Sequence, residues 1–241
     1  MIDIHCHILP GIDDGAKTME QALKMAQFAV EQGTTGIVFT PHIHPGRYEN
    51  DRESIRQIFD LFRAEIKKIN LKLQLGMAAE VRLSSELLKL FESSRIPFLG
   101  SIDSKDILLL EFPHGNIPDG STNLVDWLIE QNCRVLIAHP ERNKDVMRNP
   151  DILLPFLERN CLLQVTAGSL TGNFGSRAQE IAELLLAEDY VYILATDSHN
   201  LNHRTPDLMS GYLQAKRLVG DKAAHHLVYE NPLSIVQSQL I

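Results

Sequence analysis

The chain has 241 residues, 44% hydrophobic and 22% charged, which is ordinary for a folded domain and enough for a large buried core. Its formal net charge of −8 excludes a binder of the nucleic-acid backbone, which needs a basic face, but not an anionic substrate held by cations. Three widely spaced cysteines (Cys6, Cys133, Cys161) make no C-x-x-C pair, no apolar run approaches ~20 residues and no signal peptide is evident, so a cytoplasmic protein without membrane insertion is expected.

Seven short apolar runs read as strands: IDIHCH, GIVFT, LKLQLGMAAE, ILLLEF, RVLIAH, LLQVT and YVYILAT. After the first, TMEQALKMAQFAVEQG places Ala22, Met25, Ala26, Ala29 and Val30 on one helical stripe, with Thr18 and Gln21 as a capping box and Gly33 as the stop. The charged helix that follows, from Asp51 to Lys68, reads as a solvated face. Further helices are expected over SSELLKLF, TNLVDWLIEQ with Trp127 in the core, PDILLPFLER, SRAQEIAELLLAE and PDLMSGYLQAKRLV. KAAHHLVYENPLSIVQSQ, carrying a structural or solvated His225 and His226, closes the chain as one or two helices broken near Pro232.

Seven β-α alternations without linker or repeat predict one α/β domain over residues 1–241, with a parallel sheet and covering helices. A closed barrel is preferred to an open sheet because the polar residues fall at the C-terminal ends of nearly all strands. In a barrel those ends converge on one mouth. No G-x-G-x-x-G or P-loop follows a strand, which removes nucleotide binding.

The strand ends carry the chemistry. His5 and His7 leave one face of the first strand and Cys6 the other, as packing. Asp14, or its neighbour Asp13, follows in the turn, while Asp3 sits deeper as a structural carboxylate. The second strand ends in TPHIH with His42 and His44, the third in Glu80, the fourth in Glu111, the fifth in AHPER with His139, Glu141 and Arg142, and the seventh in TDSHN with Asp197 and His199. Each alone reads as an ordinary strand-end polar residue, but six of seven strands ending this way points to one site. Carboxylates at the end of apolar runs are poor core fillers, because an unpaired buried charge is expensive. Imidazole plus carboxylate without thiolate favours Mn, Fe, Zn or Mg. Against Asp14, Glu80, Glu111 and Asp197, three divalent ions would leave roughly two positive charges to attract a phosphate dianion. Arg142 fits a clamp on phosphate oxygens or, alternatively, a surface pair with Glu141.

The ordered set HCH, DDGA, TPH, Glu80, LEF, AHPER, QVTAGSLTGNFG, TDSHN with the following arginine, and ENPLSIV resembles the PHP (polymerase and histidinol phosphatase) superfamily. It is most similar to the manganese-dependent protein-tyrosine phosphatases of bacterial capsule and exopolysaccharide operons, over essentially the whole chain. The resemblance implies a distorted seven-stranded (β/α)7 barrel of the TIM-like type with three divalent ions, Mn first among the candidates. It implies His5, His7, Glu80 and Asp197 around one ion, Glu80, Glu111 and His139 around a second, and Asp14, His42 and His199 around a third. Arg142 and Arg204 are implied as phosphate contacts, and His199 or a water as the acid for the leaving group. Many relatives have adjacent histidines after the TP dipeptide, whereas Ile43 separates His42 from His44 here, so His44 reads equally as a rim residue or a plain loop histidine.

The expected activity is hydrolysis of phosphotyrosine on a protein, with a membrane-associated bacterial tyrosine kinase as partner. The alternatives are a small-molecule phosphoesterase of the histidinol-phosphate type and a non-catalytic kinase-binding scaffold. A cysteine-dependent phosphatase is excluded: it needs an arginine six residues after its cysteine, and those positions hold Ile12, His139 and Ala167. His114 and His203 are rim candidates at most.

Overall fold

The apolar runs form two parallel sheets in the computed structural model, which describes residues 1–241. The strands are β1 (Ile2–Asp3), β2 (Gly36–Phe39), β3 (His42–Ile43), β4 (Gln74–Met77), β5 (Glu80–Arg82), β6 (Ser101–Ile102), β7 (Lys105–Glu111), β8 (Cys133–Ala138), β9 (Leu162–Thr166) and β10 (Val191–Ala195). One sheet has the order β1-β2-β4, and the other β10-β9-β8-β7-β5-β3 with β6 antiparallel against β7. The helices are α1 (Met19–Glu31), α2 (Arg52–Lys68), α3 (Leu87–Glu92), α4 (Ser121–Glu130), α5 (Lys144–Arg148), α6 (Leu154–Leu157), α7 (Ala167–Leu170), α8 (Ser176–Ala187), α9 (Leu208–Val219), α10 (Asp221–His225) and α11 (Asn231–Val236).

Two expected strands are interrupted. GIVFT yields β2 and then, past Pro41, which has no N–H to give a ladder, β3. LKLQLGMAAE yields β4 and then β5, which begins at Glu80. The interrupted strands still run side by side, since Ala78 N–H donates to Phe39 O (2.8 Å) and Glu80 N–H to Pro41 O (3.2 Å). IDIHCH is regular only over β1. Its far end meets the chain after β10, where Asp197 N–H donates to His5 O (2.7 Å) and His7 N–H to Ser198 O (2.8 Å).

The strands separate two apolar cores. The larger lies under the helices and contains Phe39, Leu110, Ile137 and Val165. The smaller lies on the opposite strand faces and contains Val38, Ala78, Leu109, Leu162 and Ala195, with Ile235 and Val236 of α11. Stepping two residues along each strand from this smaller core gives Thr40, Glu80, Glu111, Gln164 and Asp197, because side chains alternate along a strand. The polar site therefore sits on the continuation of the small core's face.

Several local expectations change. Thr18 does cap α1, accepting from Gln21 N–H, but the Gln21 side chain returns to Lys17 N–H (2.8 Å) rather than to Thr18. The α2 helix is amphipathic rather than a solvated face: Ile55, Phe59, Phe62 and Ile66 are buried at helical spacing, and only its other side is charged. Trp127 is half-buried, edge-on to Phe91 at 5.2 Å. Pro232 does not break the C-terminal helix. It stands in the first turn of α11, and a π-helical turn over His226–Glu230 absorbs its missing N–H.

Candidate metal centre

Two strand ends turn out of the regular conformation where the site begins. His139 (φ 34) and Asp197 (φ 49) occupy the left-handed region, unusual for residues with a Cβ. For His139 the turn matters directly. Strict alternation after Leu136 and Ala138 would send it to the helix side, yet its Nε2 lies 2.7 Å from Glu80 Oε1. On the other side, the loop bearing Asp13 and Asp14 folds back on His7: Ala16 N–H donates to His7 O (3.1 Å), and a Cβ on Gly15 would fall 1.8 Å from that oxygen.

Four buried atoms form the floor. His5 Nε2 lies 3.4 Å from each of His7 Nε2, Glu80 Oε2 and Asp197 Oδ1. His7 Nε2 lies 3.2 Å from Glu80 Oε2 and 3.3 Å from Asp197 Oδ1. A tetrahedron with centre-to-vertex lengths of about 2.0–2.1 Å has edges of about 3.3–3.4 Å, so these spacings match a first-row divalent ion. Neither Glu80 Oε2 nor Asp197 Oδ1 has a hydrogen-bond partner, and the same holds for Asp14 Oδ1, His42 Nδ1 and His199 Nε2. Unpaired buried polar atoms of this kind are rare without a missing partner.

Two further groups adjoin the floor. Asp14 Oδ1 lies 3.4 Å from His42 Nε2 and 3.5 Å from His199 Nε2, with His7 beside them. Asp13 is fully engaged instead, accepting from His7 Nδ1 (2.7 Å), His42 N–H (3.1 Å) and Gly15 N–H (2.8 Å). The last group joins His42, whose Nδ1 lies 2.9 Å from Glu80 Oε2, with Glu80 and Glu111. Glu111 also pairs with Arg82 at 2.8 Å, and His139, expected beside it, meets Glu80 itself.

The electrostatics follow from burial opposed by charge. Burial alone would protonate Asp197, but the Arg204 and Arg142 guanidiniums hold its carboxyl well below the usual range. Burial also disfavours the His42 imidazolium, yet the Glu80 carboxylate and Asp14 lift it to about 9. At His199, burial and the charge of His7 prevail and lower it to about 4. Burial and the Glu80 charge raise Glu111, with Arg82 opposing.

Arg142 Nη2 reaches Asp197 Oδ2 at 2.6 Å, so the alternative of a surface pair with Glu141 falls. Glu141 is fully buried and turns away, accepting from Thr166 N–H (3.1 Å) and Ser169 Oγ (2.6 Å). Arg204 meets the same Asp197 oxygen at 2.5 Å, and the ring of Phe174 lies beneath both guanidiniums, 4.6 and 5.9 Å from their carbons. Above the floor opens a cleft of about 460 Å³, lined by Asp14, His42, His44, Arg47, Glu80, Arg82, Glu111, His114, His139, Arg142, Met147, Phe174, Asp197 and Arg204. His203 is exposed and outside it.

Three participants escape a reading of strand ends. Gln164, fully buried on β9, places Oε1 2.7 Å from His5 Nδ1. Its signal was a lone amide inside the apolar run LLQVT. Phe174 lies in a loop without periodicity. Arg82 sits two residues past Glu80, on the same side of β5.

Residues 1–237 match the family model described as capsular polysaccharide synthesis, CpsB/CapC. The chain is 32% identical to the tyrosine-protein phosphatase YwqE of Bacillus subtilis (strain 168), covering all of this chain and 93% of that protein. It is 33% identical to the putative tyrosine-protein phosphatase CapC of Staphylococcus aureus, over 85% of this chain and 79% of that one. Among solved structures it superposes with a TM-score of 0.91 and 30% identity on a chain from the crystal structures of YwqE from Bacillus subtilis and CpsB from Streptococcus pneumoniae, described as unique metal-dependent tyrosine phosphatases. That match covers all of this chain and 96% of the other.

Proposed function

The chain belongs to the CpsB/CapC capsular polysaccharide synthesis family, and from that premise we propose that it is a metal-dependent protein-tyrosine phosphatase. The observation that carries this reading is the floor of the cleft, where buried ligand atoms stand at metal-ligand spacing and two of the four lack a hydrogen-bond partner. We assign His5, His7, Glu80 and Asp197 to one divalent ion. Asp14, His42 and His199, with His7 adjoining, would hold a second. Glu80 and Glu111 would hold the third with His139, whose Nε2 already lies 2.7 Å from Glu80 Oε1. Mn2+ is the first candidate for all three. Divalent cations there supply Lewis-acid charge to phosphoryl oxygens and make water nucleophilic at neutral pH.

The protein's own groups do the rest. The phosphoryl group enters between the floor and the paired guanidiniums, and Arg142 and Arg204 exchange Asp197 Oδ2 for its oxygens. Their planar forks match phosphate geometry, and the Phe174 ring limits their freedom. Water gives up one proton to solvent as its oxygen bonds phosphorus, the bond to the tyrosyl oxygen breaks, and that oxygen takes a proton from solvent, leaving hydrogen phosphate. Burial and the charge of His7 keep His199 a neutral imidazole, with Nδ1 3.0 Å from Asp197 O and Nε2 towards Asp14, the arrangement of a ligand rather than of an acid. Gln164 accepts from His5 Nδ1–H and so turns the Nε2 lone pair to the floor.

The two sheets read as halves of one distorted seven-stranded (β/α)7 barrel. Supporting this are the bonds joining His5 and His7 to Asp197 and Ser198, and the pairing of the interrupted strands. Residues 1–241 then form one PHP-type domain. No helix is long and apolar enough to cross a membrane. We place the protein in the cytoplasm, acting on the phosphotyrosines of a membrane-associated tyrosine kinase. Parallel rates on a phosphotyrosyl peptide and on histidinol phosphate, with Mn2+ and then with chelator, test the proposal. Faster hydrolysis of the small substrate by orders of magnitude, or rates indifferent to chelation, would overturn it.

A further inference from the structure

Four arginines line the cleft, and three already have carboxylate partners: Arg82 on Glu111, Arg142 and Arg204 on Asp197. Arg47 is exposed and has no carboxylate within ion-pair distance. An incoming anion meets Arg47 without first displacing an acid, which is not true of the others.

The turn under Arg47 is braced by hydrogen bonds and ring contacts. His44 and Tyr48 pair as an antiparallel bridge, with His44 N–H donating to Tyr48 O (3.0 Å) and Tyr48 N–H to His44 O (2.8 Å). Gly46, at φ +82, makes the turn that a Cβ would strain. Its N–H donates to Glu49 Oε1, so the nearest acid in the chain closes the turn and stays off the guanidinium. The Arg47 guanidinium lies over the Tyr48 ring at 5.1 Å, and that ring stacks on His42 at 5.5 Å with planes 6° apart. Asn50 ties the base of the turn to the body through His42 O (2.8 Å) and Ile12 O (2.9 Å). The extra residue Ile43 is fully buried, and His44, the histidine without a ligand position, comes to line the cleft beside Arg47.

We propose that the Arg47–His44 turn is a second anion subsite, which recognises an acidic group on the substrate flanking the phosphotyrosine. This rests on the phosphatase reading of the adjoining site. The chain carries a net charge of −8, which repels anionic substrates at long range, so an unpaired cation at the mouth discriminates among peptides that the floor alone treats alike. The ligand chemistry is a side-chain carboxylate or a second phosphate.

The test compares three phosphotyrosyl peptides carrying Glu, phosphoserine or Gln at the flanking positions, on the Mn2+-loaded protein and on Arg47→Ala and Arg47→Glu. Hydrolysis and the binding of their non-hydrolysable phosphonate analogues are both read. A solvent-exposed ion pair is worth about two- to fivefold. The unsubstituted protein should favour the Glu peptide over the Gln peptide by that factor in kcat/KM, mainly through KM. Arg47→Ala should abolish the ratio, Arg47→Glu should invert it, and 0.5 M NaCl should erase it. A larger preference for the phosphoserine peptide would identify phosphate as the ligand, and a preference for Glu alone the carboxylate. Equal binding of Glu, phosphoserine and Gln peptides, or a preference unchanged by Arg47→Glu, overturns the subsite and leaves the phosphatase reading standing. Selective binding without hydrolysis overturns the phosphatase reading and leaves the subsite. No binding of any analogue overturns both.

Discussion

Nδ1 of His5 and Oε1 of Gln164 lie 2.7 Å apart, although 159 positions separate them in the chain. The amide oxygen accepts the Nδ1 proton and so favours the tautomer whose Nε2 lone pair faces the floor beside Glu80 and Asp197, where a cation would sit. Gln164→Leu keeps the side-chain volume and removes the acceptor. It should weaken metal binding about 10–100-fold, while Gln164→Glu, which still accepts, should lose less. Calorimetric titration of the chelated protein with Mn2+ checks both.

Arg142 and Arg204 share one oxygen of Asp197, so each has a duty to the phosphate and another to the floor. Arg142→Ala should lower kcat about 10²–10³-fold, the usual effect of removing a donor aimed at developing charge. Arg142→Lys should recover little, since an ammonium cannot reproduce the fork over Phe174. Steady-state rates on a phosphotyrosyl peptide decide this, with metal content measured alongside.

All three cysteines are buried, and burial pushes the Cys133 and Cys161 thiols up to about 12. Thiolate is the reactive form, so the native protein should not react with Ellman's reagent, and all three thiols should react after unfolding. Phosphatase activity should survive iodoacetamide. Inactivation in step with alkylation would contradict the exclusion of cysteine chemistry.

Asp51 caps α2, accepting from Ser54 N–H (2.9 Å), and pairs with Arg95 at 2.9 Å. The Ser54 amide, with Arg95, holds its carboxyl below the usual range despite partial burial. A depressed folded value stabilises the protein above the unfolded pKa and is lost as pH falls through the folded one. Asp51→Ala should therefore cost about 1 kcal/mol at pH 7, within the usual range of about 0.5–2 for a lost cap. The difference should be intact above about 4, the unfolded value, and shrink as pH falls below it towards the lower folded one. Urea unfolding at both ends of that range measures it.

Much of the centre was legible because strand alternation and apolar runs locate strand ends without any tertiary information. His5, His7, Glu80, Glu111, Asp197 and His199 fall at those ends, and the fold brings them to one cleft. The approach of His42 to Glu80 and of Arg82 to Glu111 was not legible, since it depends on how β3, β5 and β7 sit against one another. Nor was the inward turn of His139, which rests on a left-handed φ that no pattern of apolar residues encodes. Gln164 and Phe174 act through neighbours distant in sequence. The solvated reading of α2 failed because charge density masked a four-residue apolar stripe.

Anomalous diffraction at the manganese edge from crystals soaked in Mn2+ tests the central claim most directly. The account predicts three peaks on the cleft floor, the deepest between His5, His7, Glu80 and Asp197. A floor that stays empty after soaking, in a protein that still hydrolyses phosphotyrosine, would contradict it.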